Sequence, residues 1–307
     1  MSVRLEGVYA PVVTPFRADL TPDPERFIAH CRWLVEQNSG LAVFGTNSEA
    51  NSLSVGERKA LLEGLVENGV PAARMMPGTG CCSIPETVDL TCHAVDLGAP
   101  GVLMLPPFYY KGVSDDGLYR HYSEVIQQVG DARLRICLYH IPQVSGVPIS
   151  LPLIERLIAA YPDTVVGIKD SSGNWDNTEA MLKAFPGFRI FPASESLFTR
   201  SLPLGAAGCI SATANVNPAA MHRLWSNWQA PEAAGLQAEV DRIRTTFARY
   251  PMMIAAMKAT IAHHLDDPCW RIVRPPLDEF PEDQTRALMD ELAGAGFGMP
   301  GLQREPA

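Results

Sequence analysis

No stretch of this 307-residue chain stays apolar for long enough to span a bilayer. Its start, Met1-Ser2-Val3-Arg4-Leu5-Glu6-Gly7, has no apolar signal region, so export is not expected. Basic charge is in deficit. The 25 Lys and Arg residues against 34 Asp and Glu leave a net charge of -9. That balance argues against nucleic acid and against an acidic membrane surface as partners. A small anionic substrate stays compatible, because a local site can oppose the global charge. Seven cysteines are an odd number, and only Cys81-Cys82 are close in sequence. No CxxC pair and no Cys/His ligand spacing appears, so no metal site is expected and the thiols read as reduced, in a cytoplasm. His263-His264 reads as surface or packing on a helix. Lysine is scarce as well, with five (59, 111, 169, 183 and 258) against twenty arginines.

What the chain does have is alternation. The apolar fraction of 47% is ordinary for a globular protein. Strand patterns are read over 7-14, 41-45, 73-78, 100-105, 134-141, 164-169, 188-193 and 207-212. Helical patterns lie between and after them, over 23-38, 55-69, 84-98, 115-130, 151-161, 176-185, 196-205 and 218-228. Alternating strands and helices imply a parallel sheet, and eight such units match the size of a closed (β/α)8 TIM barrel, an α/β fold. Ser54 with Glu57 and Ser83 with Glu86 have capping-box spacing. Thr21-Pro22 and Asn217-Pro218 place a cap residue before a proline suited to a first helical position. Gly98 reads as a helix stop. Beyond the eighth unit, 232-265 looks all-helical with a break at Tyr250-Pro251, and 282-296 forms another helix. The Gly- and Pro-containing tail over 297-307 reads as disordered. The expected organisation is a barrel over 1-230 and a C-terminal helical extension over 231-307.

A parallel barrel carries its chemistry at the C-terminal ends of its strands. The run Val165-Val166-Gly167-Ile168-Lys169 ends there in a lysine, the one lysine in a strand-like apolar run. An amine beside a low-dielectric core is penalised as ammonium, which brings the neutral, nucleophilic form within reach and permits a Schiff base with a carbonyl. The plainer alternative is a lysine that leaves the strand for water. The preceding strand, Arg135-Ile136-Cys137-Leu138-Tyr139-His140, ends in Tyr139. By the two-residue period Cys137 and Tyr139 share one face, as do Gly167 and Lys169. If both faces point inward, a phenol able to relay protons meets the amine. His140 then faces the other way, as packing. Gly45-Thr46-Asn47-Ser48-Glu49 can aim backbone N–H groups into a cavity as an anion nest, or simply turn the chain. Phe108-Tyr109-Tyr110 can line a pocket or pack on another subunit. The strand with Cys209 and Ile210 leaves room among small residues, and Cys209 reads as an inert buried thiol.

Taken together, Gly45-Thr46-Asn47-Ser48-Glu49, Pro107-Phe108-Tyr109-Tyr110, Tyr139-His140-Ile141-Pro142, Gly167-Ile168-Lys169-Asp170 and Gly208-Cys209-Ile210-Ser211 resemble the dihydrodipicolinate synthase / N-acetylneuraminate lyase family of class I, Schiff-base-forming aldolases. The likeness runs from Gly7 to Leu277. It implies a homotetrameric barrel with no metal or organic cofactor, in which Lys169 forms an imine with a 2-oxo acid, typically pyruvate. It implies Tyr139 as acid/base, linked through Thr46 to a tyrosine of a neighbouring subunit that maps onto Tyr110. Thr46, Asn47 and the carbonyl of Ile210 are the implied pyruvate contacts, and Ser194 lies where a substrate tail is held.

The departures bear on substrate. Ser48 stands where the family usually has glycine, so its side chain is expected to reshape the nest or fill the pocket floor. Val144 stands where dihydrodipicolinate synthases carry an arginine for the aldehyde's carboxylate. Loss of a bidentate clamp costs about 2–5 kcal/mol of binding, so that activity is disfavoured. Ser194-Glu195-Ser196 and Ala212 match the sialic-acid pattern only in part. The leading expectation is a pyruvate-dependent lyase that makes or breaks a C–C bond of a 2-oxo acid. The alternatives are a dehydratase or deaminase acting on the same lysine, and a barrel that only senses an oxo acid.

Overall fold

The computed structural model describes residues 5–251 and 253–303. Seven parallel strands form two hydrogen-bonded groups: β1 (Gly7–Ala10), β2 (Gly40–Leu41), β3 (Val102–Met104), β4 (Ile136–His140), β5 (Val165–Asp170), β6 (Arg189–Pro192) and β7 (Gly208–Ile210). The orders are β2-β1-β7 and β3-β4-β5-β6. Two seams join them into a ring. At one, Ala207 N donates to Ile190 O at 2.9 Å. At the other, residues 75–79 fill the eighth position. Met76 N donates to Leu41 O at 2.8 Å and Gly78 N to Val43 O at 2.7 Å on one side, and Leu103 N to Pro77 O at 2.8 Å on the other.

The expected strand over 73–78 is therefore corrected to an irregular bridging segment. Pro77 has no N–H to give to a ladder, so the pairing is made one bond at a time. Gly78 is required there: a Cβ would lie 2.0 Å from the Phe44 carbonyl oxygen.

Strand alternation sorts two layers. Tyr9, Ala42, Met76, Leu103, Cys137, Tyr139, Phe191 and Ile210 form a cluster inside the barrel. Their neighbours in sequence, such as Val8, Val102, Ile136, Leu138 and Cys209, join the larger core beneath the helices. One irregularity matters for function. The β4/β5 register slips between Ile136 and Cys137, so that Ile136 pairs with Val165 and Cys137 with Gly167. The extra residue, Val166, makes a bulge, and past it Tyr139 stands directly opposite Lys169.

The surrounding helices are α1 (Pro24–Glu36), α2 (Val55–Glu67), α3 (Ile84–Asp96), α4 (Asp115–Val129), α5 (Pro142–Ser145), α6 (Leu151–Ala160), α7 (Trp175–Ala184), α8 (Phe198–Ser201) and α9 (Pro218–Ser226). Ser54 and Glu57 close a full capping box on α2. Ser83 caps α3, but its hydroxyl, not its N–H, meets Glu86. Two expected caps are corrected. Asp23 caps α1 and Pro24 opens it, while Pro22 instead bridges Phe16. Pro218 opens α9, but Asn217 makes no side-chain cap bond. The expected helix over 196–205 is broken into α8 and two flanking 3-10 turns. Pro203 removes a donor there, and Gly205 turns left-handed at φ +95°.

The C-terminal extension is α10 (Ala233–Ala248), α11 (Met253–Leu265) and α12 (Glu282–Gly294). Every residue from Ala255 to Ala262 of α11 is buried, the pattern of a helix enclosed on all sides. The tail is not loose through residue 303. Met299 is buried and Trp33 Nε1 donates to Pro300 O at 3.0 Å. Residues 304–307 of the expected tail, and residues 1–4 of the start, lie outside the described residues. Among the described residues no helix is long and apolar enough to cross a membrane, and no His/Cys/Asp/Glu group is arranged to hold a metal. All seven cysteines are free.

Candidate active site

Lys169 ends the inward row of β5 and is buried, at 4% exposure. Its Nζ donates to Tyr139 Oη at 3.3 Å and lies 4.3 Å from the centroid of the same ring. Tyr139 Oη is in turn 3.0 Å from Thr46 Oγ1. The three polar groups thus form one chain, amine to phenol to hydroxyl, assembled from β5, β4 and the turn after β2. Gly167 makes the strand pairing possible, because a Cβ there would lie 2.5 Å from the Arg189 carbonyl oxygen. Among the described residues no carboxylate lies within ion-pair distance of Lys169.

Thr46–Ser48 forms a short 3-10 turn, with Asn47 half-buried beside Thr46. Ser48 does not fill the pocket floor. Its hydroxyl accepts from Gly45 N at 3.2 Å and closes the turn on itself. Its carbonyl accepts from Thr14 Oγ1 at 2.7 Å. Ile210 is fully buried on β7.

His140 points away from the pair, as alternation requires. Its Nδ1 accepts from Ile149 N at 3.0 Å, and burial lowers its pKa against the opposing pull of Asp170. Burial pushes the Cys137 thiol up to about 12 and raises that of Cys209, so neither thiol is a ready nucleophile at neutral pH.

Tyr110, Ser194 and Val144 make no hydrogen bond to the Lys169–Tyr139–Thr46 chain among the described contacts. Tyr110 is 73% exposed, edge-on to Tyr109 at 5.2 Å between centroids. Ser194 accepts from Ser196 N at 3.3 Å and caps the turn before α8. Val144 is exposed on the short helix α5. Lys111 ties the segments of Tyr110 and Val144 together: its Nζ donates to the carbonyls of Phe108 and Ser145.

Two buried clusters escaped the sequence reading. The Glu195 carboxylate is fully buried and accepts from the hydroxyls of Ser211 and Thr213, while Gln237 Nε2 holds its carbonyl at 3.0 Å. Glu49 and Lys258 form an ion pair at 2.8 Å with both side chains fully buried. A signal for the second was present, since Lys258 is the one charge within the run Met253 to Ala262.

Comparison with known proteins places the chain in a family. The sequence profile of the dihydrodipicolinate synthetase family matches residues 4–295. An uncharacterized DapA-like lyase of Chloroflexus aurantiacus is 34% identical over 241 residues, 78% of this chain and 80% of the relative. The crystal structure of dihydrodipicolinate synthase from Agrobacterium tumefaciens superposes with a TM-score of 0.87 at 31% identity, covering 94% of this chain and 99% of that one. YagE, a prophage protein of E. coli K12 crystallised with pyruvate, superposes at 0.85 with 26% identity, covering 96% and 99%. With its (β/α)8 barrel, helical extension and buried lysine at a strand end, this chain belongs to the dihydrodipicolinate synthetase family, a family of Schiff-base-forming lyases.

Proposed function

We propose that this protein is a pyruvate-dependent class I lyase that makes or breaks a C–C bond of a 2-oxo acid through an imine on Lys169. The observation that carries the reading is the buried chain from Lys169 Nζ through Tyr139 Oη to Thr46 Oγ1. The neutral amine attacks the keto carbon. The new C–N bond forms as the carbonyl oxygen, protonated through Tyr139, leaves as water. In the cleavage direction Tyr139 takes the proton of the C4 hydroxyl. The C3–C4 electron pair passes into the enamine, and C4 departs as an aldehyde. Protonation at C3 and hydrolysis then return pyruvate and the free amine. Thr46 orients the phenol. The turn at Thr46 and Asn47 and the Ile210 carbonyl hold the pyruvate end, and Ser194 flanks the remainder of the substrate.

The exposed Tyr110 suits a homotetramer in which a second copy of the chain inserts this ring beside Thr46. Pyruvate as the small substrate is in keeping with its presence in the YagE crystal. Seven free thiols suit a reducing cytoplasm. Val144 in place of a cation speaks against a carboxylated aldehyde partner of the dihydrodipicolinate kind, and Ala212 against a sialic acid.

Two measurements test this. Pyruvate methyl protons should exchange in deuterated water in the presence of the enzyme, which a mere sensor would not catalyse. A screen of 2-oxo acids should find one that releases pyruvate. Turnover of 2-oxo acids with loss of water or ammonia and no pyruvate would replace the lyase reading with a dehydratase or deaminase.

A further inference from the structure

Lys258 belongs to α11, in the C-terminal extension, yet its amine reaches the turn that carries Thr46 and Asn47. It donates to Glu49 Oε1 at 2.8 Å and to the Thr14 carbonyl at 2.8 Å, and it lies 4.6 Å from the centroid of the Phe16 ring. Glu49 closes that turn in a left-handed conformation, φ +55°, a costly one for a residue with a side chain. Its second oxygen accepts from Arg274 N at 2.9 Å. Thr14 passes the connection on, since its hydroxyl donates to the Ser48 carbonyl at 2.7 Å. Arg274 Nη1 holds the Ser52 carbonyl at 2.6 Å. Both ends of the segment from Ser48 to Ser52 are thus fixed by cations and one hydroxyl from outside it.

Stability alone is a poor reason to keep such a pair. Replacing a buried ion pair by apolar side chains of similar volume is often neutral or stabilising, because two charges must be desolvated. What the pair does supply is direction, a fixed anchor for a turn whose neighbouring hydroxyl must sit 3.0 Å from a phenol. We propose that Lys258 is a positioning residue of the active site: through Glu49 and Thr14 it sets the Gly45–Glu49 turn so that Thr46 meets Tyr139 and Asn47 meets the substrate carboxylate. The inference rests on the function proposed above for its catalytic consequence, but not for its structural one.

The test is the double variant Lys258→Met/Glu49→Met, which removes both charges and keeps side-chain bulk. Amide hydrogen exchange over residues 45–50 should lose protection while the rest of the barrel keeps its own. In pyruvate proton exchange kcat should fall about 10- to 100-fold, the scale for misplaced catalytic groups, and KM for pyruvate should rise with it. A pair with no positioning role would leave KM and the protection of the turn unchanged, whatever its effect on stability, and that result would overturn the proposal. Thr14→Val probes the same connection without touching a charge. It should raise KM in the same sense, and Thr14→Ser should restore it. Should the double variant fail to fold, a Thr14→Val enzyme with wild-type KM and wild-type protection of the turn would refute the inference by itself. If the wild-type protein exchanges no pyruvate protons, the functional reading fails and the amide-exchange result still decides this one.

Discussion

Two lysines are buried in this molecule, and their surroundings divide their roles. Lys169, near the end of β5, faces a phenol and, among the described residues, no carboxylate within ion-pair distance. Lys258, inside α11, faces the carboxylate of Glu49. Burial lowers the pKa of Lys258, and Glu49 acts in the opposite direction. The lesson is that burial by itself does not make an amine a nucleophile. Lys258 is engaged in an ion pair with a carboxylate, whereas Lys169 is left with a phenol that can relay protons to a bound carbonyl.

That contrast can be broken most directly by removing each amine in turn. Lys169→Met should abolish pyruvate proton exchange, by about three orders of magnitude or more, while leaving the melting temperature unchanged or higher. Lys258→Met should do the reverse first. It strands the Glu49 carboxylate in the core and should cost about 3–5 kcal/mol of stability, read by denaturant unfolding. Equal losses of stability in the two variants would dissolve the distinction. Next in size, Tyr139→Phe keeps the ring against Lys169 and deletes the proton relay, so exchange should slow by about 10²–10⁴. Thr46→Val removes one hydrogen bond to that phenol and should cost about tenfold.

The smallest effect concerns the charges around Arg274, beside the Lys258 pair. The Arg274 guanidinium holds the Glu57 carboxyl down from 4.5 to about 2. Its contribution to stability is therefore complete above pH 4.5 and is lost as pH falls toward 2. Because Glu57 is 28% exposed and screened, Glu57→Gln should flatten that acid limb by only about 1 kcal/mol.

The sequence exposed the parts of this account that depend on local pattern. Val165 to Lys169 reads as a buried strand with a lysine at its end, and it is one. The two-residue period placed Tyr139 inward and His140 outward, as found. It failed where the backbone departs from regularity. Pro77 dissolves the expected third strand into single bridges, and Pro203 breaks an expected helix. Ser48 was expected to reshape the anion nest or fill the pocket floor, and its hydroxyl, instead of reaching outward, binds Gly45 N within the turn itself. The Glu49–Lys258 pair joins residues 209 positions apart and has no local signature beyond a lone charge in an apolar helix. Tyr110 has no local signature of its own: it was named only through the resemblance, and in the single chain its ring is exposed.

The most direct measurement is borohydride reduction in the presence of pyruvate, followed by peptide mass analysis. Lys169 should carry the reduced pyruvyl group and Lys258 should remain unmodified. Pyruvate demonstrably bound with Lys169 unmodified, or an adduct formed at a different lysine, would contradict the account.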